Sequence, residues 1–389
     1  MKIVHILIGK PKPVTTIGVK KSVYHIAENQ TLIGEDVFVM GITRECNING
    51  EVVCEKPRIE IFKQNNCRFI VDKFFLNRLE EINPCVVNFH SAFIPEFCVI
   101  GKFLKKKGIP YVISPRGAYR QNALMKNKLL KKIWLTLFEN QLLANANLIH
   151  FLTKTGLDEF DDLGFSIDTK RECIPNGIDK CREFDPWKEK GYITKFLELE
   201  YDSRVIVSIG RLDIYYKGLD LLIKGFSLLP KNVLQNTYLI LFGPDTNGAK
   251  IQLMKIANEF GIKDRLLMPG PVYGDDKFRI MAGADIFAVT SRSEGFPNAL
   301  LEALSVGARC LVSNNIGIEN ELKSYHAGCL TSIDPTDIST QIQYILENIK
   351  VNNFVTELSL NSKKLCNEKF IWRSVAGKLL ASYRQIVNV

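Results

Sequence analysis

Two carboxylates in the stretch Thr290–Ala308 (T-S-R-S-E-G-F-P-N-A-L-L-E-A-L-S-V-G-A) stand where chemistry can happen. Glu294 sits on a polar turn, Ser291 to Gly295, just after the apolar run Asp285-Ile286-Phe287-Ala288-Val289. Pro297 follows at the expected first position of a helix, where its missing N–H costs nothing. Glu302 is the only charge in the apolar helix-forming run that comes next. A carboxylate among apolar residues needs a polar partner. At a rise of ~1.5 Å per residue, Glu302 lies roughly 7–8 Å along the axis from the helix start. That start offers backbone N–H groups and the positive end of the helix dipole, a natural seat for phosphate. Two carboxylates around a phosphate seat suit a ligand with hydroxyls at both ends and phosphate between, as in a nucleotide-diphosphate sugar. Each also has a plainer reading. Glu294 can simply offset the helix dipole. Glu302 can be satisfied by a core arginine or by backbone.

Other residues of the right type fall at strand ends. Arg211 and Lys217-Gly218 follow the strand-like run Arg204–Gly210 and precede a helix. Arginine brings a planar fork for phosphate oxygens and lysine a point charge. Taken alone, such a pair is more often solvated surface. His90 ends the apolar run Cys85–Phe89, and Arg116 follows the strand Tyr111–Ser114. In open α/β sheets, ligands bind beyond the carboxyl ends of strands. His90 is thus either a polar sugar contact or a structural histidine. Gly18 opens the first helix, either to let backbone approach a phosphate or as a plain helix-start glycine.

The elements that must hold these residues alternate along the chain. A strand at residues 2–8, a helix from about Lys20 to Leu32 and a strand at Asp36–Met40 form a βαβ unit. Residues 43–68 are polar and irregular, with strand-like pieces near Val52 and at Arg58–Phe62. Alternation resumes through Ile174 and includes one long amphipathic helix from about Leu124 to Leu143. After the Asn176-Gly177 turn and a linker to about Lys190, a second alternation runs from Arg204 to Ser313. Terminal helices follow, the last from Trp372 to Ile386. The pattern predicts an α/β protein of two doubly wound, Rossmann-like domains facing a cleft, which is the default active site. The expected division is 1–187, 188–370 and a terminal helix 371–389 that crosses back to the first domain.

Composition narrows the class. The chain has 389 residues, 46% hydrophobic and 24% charged, as in ordinary globular proteins. Its ten cysteines show no C-x-x-C spacing and read as reduced thiols in a reducing compartment. No apolar run reaches the ~20 residues that span a bilayer, so a cytoplasmic location is expected. Net charge is +9, and residues 1–190 hold 29 Lys+Arg against 22 Asp+Glu. Ten basic residues and no acidic one lie between Gly101 and Phe138. Within that stretch, Lys128, Lys131 and Lys132 alternate with Leu129, Leu130, Ile133, Trp134 and Leu137. Such a helix suits either the anionic face of a membrane or a packed core with a basic outer side. No nucleic-acid module signature is present.

These motifs resemble a known family. S-R-S-E-G-F-P-N-A-L-L-E-A-L resembles the E-x7-E signature of the family 4 retaining glycosyltransferases, which have the GT-B fold. S-I-G-R-L-D-I-Y-Y-K-G resembles the family's phosphate-binding element, and I-P-N-G-I-D its turn at the end of the first domain. N-F-H-S and S-P-R-G-A-Y resemble a bacterial branch that builds surface polysaccharides: O-antigen, capsule or exopolysaccharide. The resemblance implies that Glu294 holds donor-sugar hydroxyls and Glu302 the ribose hydroxyls. It implies that Arg211 and Lys217 clamp the diphosphate, helped by backbone around Phe296, Pro297, Asn298 and Ala299. His90 would contact the donor sugar, Gly18 would bring the N-terminal loop near the phosphates, and Arg116 would join the donor site. The donor, UDP- or GDP-linked, is then a substrate rather than a resident cofactor. The acceptor is a lipid-linked or other glycan, met at the inner membrane face. No D-x-D motif is present, so no essential metal is expected. The N-terminal loop departs from the family in lacking paired glycines, and Ile316–Glu321 lacks the usual proline. Two other classes share these features: a GT-B sugar-nucleotide epimerase, and a non-catalytic nucleotide-sugar binding protein.

Overall fold

A computed structural model describes residues 1–11, 18–45, 49–125, 127–165, 167–349, 351 and 353–387. The chain divides into two compact units, Met1–Gly177 with Trp372–Val389, and Ile178–Ile371. Both are α/β units built on largely parallel sheets, the class that the alternating sequence pattern predicts.

The first unit carries β1 (Lys2–Ile8), β2 (Asp36–Thr43), β3 (Glu51–Glu55), β4 (Arg58–Lys63), β5 (Val86–His90), β6 (Tyr111–Ser114), β7 (Leu148–Phe151) and β8 (Arg171–Cys173). Their spatial order is β3-β4-β2-β1-β5-β6-β7-β8. Among the described residues, only the β3–β4 pair of this sheet is antiparallel. These two strands occupy the polar segment 43–68. Buried Ile59, Ile61 and Phe62 hold β4 on the sheet, while β3 is a half-exposed edge. The terminal helix Trp372–Val387 packs on the helix Gly18–Leu32, with Val375, Leu379 and Tyr383 buried against Val23 and Ile26.

The second unit carries β9 (Arg204–Ile209), β10 (Thr237–Phe242), β11 (Leu266–Gly270), β12 (Ile286–Val289), β13 (Cys310–Ser313) and β14 (Cys329–Thr331). The order β11-β10-β9-β12-β13-β14 is that of a Rossmann sheet, with the strand order reversing between β9 and β12. Residues 178–187, expected in the first domain, fall in this unit. The reason is hydrogen bonding: Ile178 N donates to Phe370 O (2.6 Å) and Arg182 N to Ser305 O (3.2 Å).

The long helix expected at 124–143 is broken. Helix Gln121–Met125 is followed by Lys128–Trp134, a π-helical turn Leu135–Glu139, and Asn140–Ala144. Asn127 takes left-handed backbone (φ 59°), which ends the first piece. The π turn adds a residue to one helical turn and so shifts the faces that follow. It lets Glu139 turn inward, where Tyr119 Oη (2.6 Å), Trp134 Nε1 (2.6 Å) and Phe93 N (3.3 Å) donate to it. Burial still raises its pKa above the usual carboxylate value.

Three buried histidines mark the centre of the first sheet. Burial and the Arg116 charge lower His5 to about 4 and His150 to about 3, and hold His90 well below 6.5. An unfolded chain takes up protons on these rings near pH 6.5, and the folded chain does not. Their contribution to stability is therefore present above pH 6.5 and is lost as pH falls toward 4. Thermal unfolding followed from pH 7.5 to 5 should show a steadily falling midpoint, before most carboxylates titrate. A flat profile over that range would contradict the neutral assignment.

Candidate functional site

The reversal between β9 and β12 leaves two loops side by side at the carboxyl ends of these strands. One is Gly210–Gly218 and the other Thr290–Pro297. Gly218 has φ 61°, and a Cβ there would lie 2.1 Å from Thr290 O, so only glycine permits this approach. Thr290 Oγ1 donates to Gly218 O (3.3 Å), and Arg292 N donates to Tyr216 O (3.0 Å). Arg292 also reaches back across the loops. It binds Asp220 through two parallel bonds of 2.7 Å and lies over the Tyr215 ring, 4.8 Å from its centroid. From below, Ser313 Oγ donates to Ser291 O (2.8 Å) and Asn315 Nδ2 to Arg292 O (2.9 Å).

This frame places Lys217 Nζ 2.5 Å from Glu294 Oε1, which also accepts from Ser291 Oγ at 2.8 Å. Both side chains are largely shielded, at 27% and 12% exposure. They line a pocket of about 170 Å³ together with Ser208, Thr290 and the run Phe296 to Leu300. Pro297 is the cap of the helix Asn298–Ser305, one position earlier in the helix than the expected first turn. Phe296 and Pro297 are buried, and Phe296 packs edge-on against Phe370. Asn298 and Ala299 open the helix at the pocket wall. A lysine, a carboxylate and a helix start converging on one cavity can hold an anion beside hydroxyl groups.

Other expected site residues lie elsewhere. Arg211 is exposed and does not line the pocket. Glu302 is buried on the same helix as Asn298, but its carboxylate meets Lys277, from the helix Gly274–Gly283, and does not line the pocket. That pairing is the lysine version of the core-cation reading. Gly18 is the exposed first residue of its helix, and the loop at 12–17 lies outside the described residues.

His90 and Arg116 meet in the first unit, at the carboxyl ends of β5 and β6. Arg116 Nε and Nη2 lie 3.3 and 3.1 Å from His90 Nδ1. A guanidinium has no acceptor, so His90 Nδ1 must be the lone-pair nitrogen. His90 Nε2 then carries the proton and donates to His5 Nδ1 (2.9 Å), and His5 Nε2 donates to Gln30 Oε1 (2.7 Å). Both nitrogens of His90 are thus engaged and its ring is fully buried, so in this structure it presents no polar atom to a sugar. Arg116 Nη1 donates to Asn176 Oδ1 (2.8 Å), and burial lowers the guanidinium to about 10.

The sequence reading missed Arg292, Asp220 and Ser291, which hold the two loops in place. The signal was there in part, since Arg292 and Ser291 stand inside the same S-R-S-E-G run. It gave no hint that Arg292 pairs with Asp220.

Residues 193–362 match the family described as Glycosyl transferases group 1. The match runs through both loops of the pocket. Among curated relatives, an uncharacterised glycosyltransferase of Methanocaldococcus jannaschii is 26% identical over 219 residues, covering 55% of this chain and 54% of the relative. The UDP-Gal:alpha-D-GlcNAc-diphosphoundecaprenol alpha-1,3-galactosyltransferase of Escherichia coli is 28% identical over 191 residues, 48% of each chain. The chain thus spans about half the length of these relatives. The matches support the group 1 glycosyltransferase family. Among solved structures, Anabaena Alr3699/HepE in complex with UDP and glucose superposes with a TM-score of 0.75 at 16% identity, over 99% of this chain and 100% of that one. The shared fold is the two-unit GT-B architecture.

The Lys277–Glu302 pair is buried enough for its partners to depend on each other. Lys277→Met should remove the cation facing the buried Glu302 carboxylate and cost about 3 kcal/mol, read as a shift in the urea midpoint at unchanged slope. Lys277→Met combined with Glu302→Leu should recover most of that loss. A single variant as stable as the parent would show that the pair has no structural role.

Proposed function

We propose that this chain is a retaining glycosyltransferase. It would move a sugar from a UDP- or GDP-linked donor to a lipid-linked or glycan acceptor during the building of a bacterial surface polysaccharide, at the cytoplasmic face of the membrane. The observation that carries this reading is the Lys217–Glu294 pair, set at the strand-order reversal against the start of helix Asn298–Ser305. The family match over residues 193–362 supports the sugar-transfer chemistry.

In this reading the donor diphosphate takes over the Lys217 ammonium, and Glu294 turns to sugar hydroxyls. Lys217 and the amides around Phe296–Ala299 then stabilise the negative charge that grows on the leaving diphosphate. Arg211, exposed on the adjoining loop, closes on the diphosphate when the donor is bound. Glu302 takes the ribose hydroxyls in that same state while keeping Lys277. The acceptor hydroxyl attacks from the face that the diphosphate leaves, and a departing phosphate oxygen takes its proton. Arg116 supplies a positive charge in the first unit, and His90 and Asn176, accepting from it, hold its orientation.

Transfer is tested with a panel of nucleotide sugars and acceptors, the product's anomeric configuration being read by NMR. An α-linked product from an α-linked donor is expected. Lys217→Ala and Glu294→Ala should each lower turnover at least 100-fold, about 2.7 kcal/mol in the barrier, with native circular dichroism and an unfolding midpoint still well above the assay temperature. Full turnover in either variant would remove the pair from the chemistry. Product from donor alone would favour the epimerase, and donor binding without turnover on any acceptor the binding protein.

A further inference from the structure

The first unit holds a second cavity, far larger than the pocket at Lys217. It has a volume of about 710 Å³, within the range of small-molecule sites. The broken helical segment 121–140 and the turn Leu163–Phe165 form its walls. Leu124, Leu135, Leu163 and Phe165 give it an apolar lining. Its charged lining residues are all cationic: Lys128, Lys131 and Lys132. Among the described residues, no carboxylate lines it.

The surface beside the groove is unusual too. Leu129, Leu130 and Leu137 are 72%, 68% and 62% exposed, and Met125, at the groove itself, is 71% exposed. Four large apolar side chains held in water on one short segment mark an interaction surface. The lysines alternate with them, so the surface offers cations and apolar groups at one level. The backbone accounts for the groove's shape. The left-handed turn at Asn127 and the π turn at Leu135–Glu139 break what would have been one straight helix, and the groove opens along the break. Lys131 is fixed there by its bond to Ala123 O and lies over the Phe93 ring.

We propose that this groove binds the hydrocarbon chain of a lipid phosphate, with the phosphate held by Lys128 and Lys132 at its rim. The groove's size and apolar lining suit an extended acyl or isoprenoid chain. Its purely cationic charge selects an anionic head. The exposed leucines alongside would rest in the membrane from which the lipid is drawn. This assignment rests on the glycosyltransferase reading only for its purpose: it would make the acceptor a lipid phosphate or diphosphate. The groove itself is tested without any transfer reaction.

The test is tryptophan quenching in the full chain carrying Trp187→Phe, so that emission comes from Trp134, beside the groove, and from buried Trp372. The titrant is dodecyl phosphate with a brominated chain, kept below its critical micelle concentration. Saturable quenching is expected. Lys128→Glu with Lys132→Glu should weaken it at least tenfold without moving the unfolding midpoint. The uncharged brominated dodecyl maltoside should bind at least tenfold more weakly, and inorganic phosphate alone should neither quench nor compete at equal concentration. Equal binding of the maltoside, or unchanged affinity in the double variant, would overturn the assignment of the charged rim. No quenching by the monomeric lipid would overturn the groove as a chain site. Quenching only by anionic vesicles would also overturn it, leaving a bilayer-docking face. Saturable quenching in a chain that transfers no sugar would leave the groove standing and sink the glycosyltransferase reading instead.

Discussion

The close approach of two backbone segments, Gly218 and Thr290, is the constraint on which the site depends. A side chain at Gly218 would overlap the Thr290 carbonyl. Without that contact, the loops after β9 and β12 could not share hydrogen bonds, and Lys217 would not meet Glu294. The rest of the local design serves this approach. Parallel strands with reversed order bring the loops together. The bidentate Arg292–Asp220 pair clamps them, and Ser313 and Asn315 support them from the next strand. The lysine and the carboxylate are thus held in place before a ligand arrives, which keeps down the entropy lost on binding.

The first unit solves a different problem. It holds a guanidinium against two neutral acceptors, His90 Nδ1 and Asn176 Oδ1. The positive charge sets the direction of the whole chain of bonds from Arg116 through His90 and His5 to Gln30. A second polar chain adjoins it. Ser114 Oγ lies 2.9 Å from His150 Nδ1, and His150 Nε2 donates to Ile174 O at 2.7 Å. Asn88 Nδ2 lies 2.6 Å from the hydroxyl of Tyr383, so the terminal helix is tied into the same centre. Such networks are costly if left incomplete, which explains why a helix from the far end of the chain completes the first unit.

How much of this was legible in the sequence follows the range of each interaction. The alternation of strands and helices was readable because it is local and periodic, and the α/β class followed from it. Lys217, Glu294 and the run Phe296–Ala299 could be singled out because turn residues and a helix start mark them within a few positions. The edge hairpin at Glu51–Lys63 was not readable, since an exposed antiparallel edge strand lacks the continuous apolar run of its buried neighbours. The partners of Glu302, Arg292 and His90 come from other elements, and no local pattern announces them. The break at Asn127 and the π turn were hidden because the apolar spacing of 124–143 suits an unbroken helix equally well.

The central claim is that the Lys217–Glu294 pocket seats a nucleoside diphosphate. Titration calorimetry of the full chain with UDP and with GDP tests it directly, alongside Lys217→Met, which keeps the stem and removes the charge. The account expects one of the two nucleotides to bind and the substitution to weaken that binding at least tenfold in a chain that keeps its native circular dichroism. Binding of neither nucleotide, or equal affinity in the parent and Lys217→Met, would contradict it.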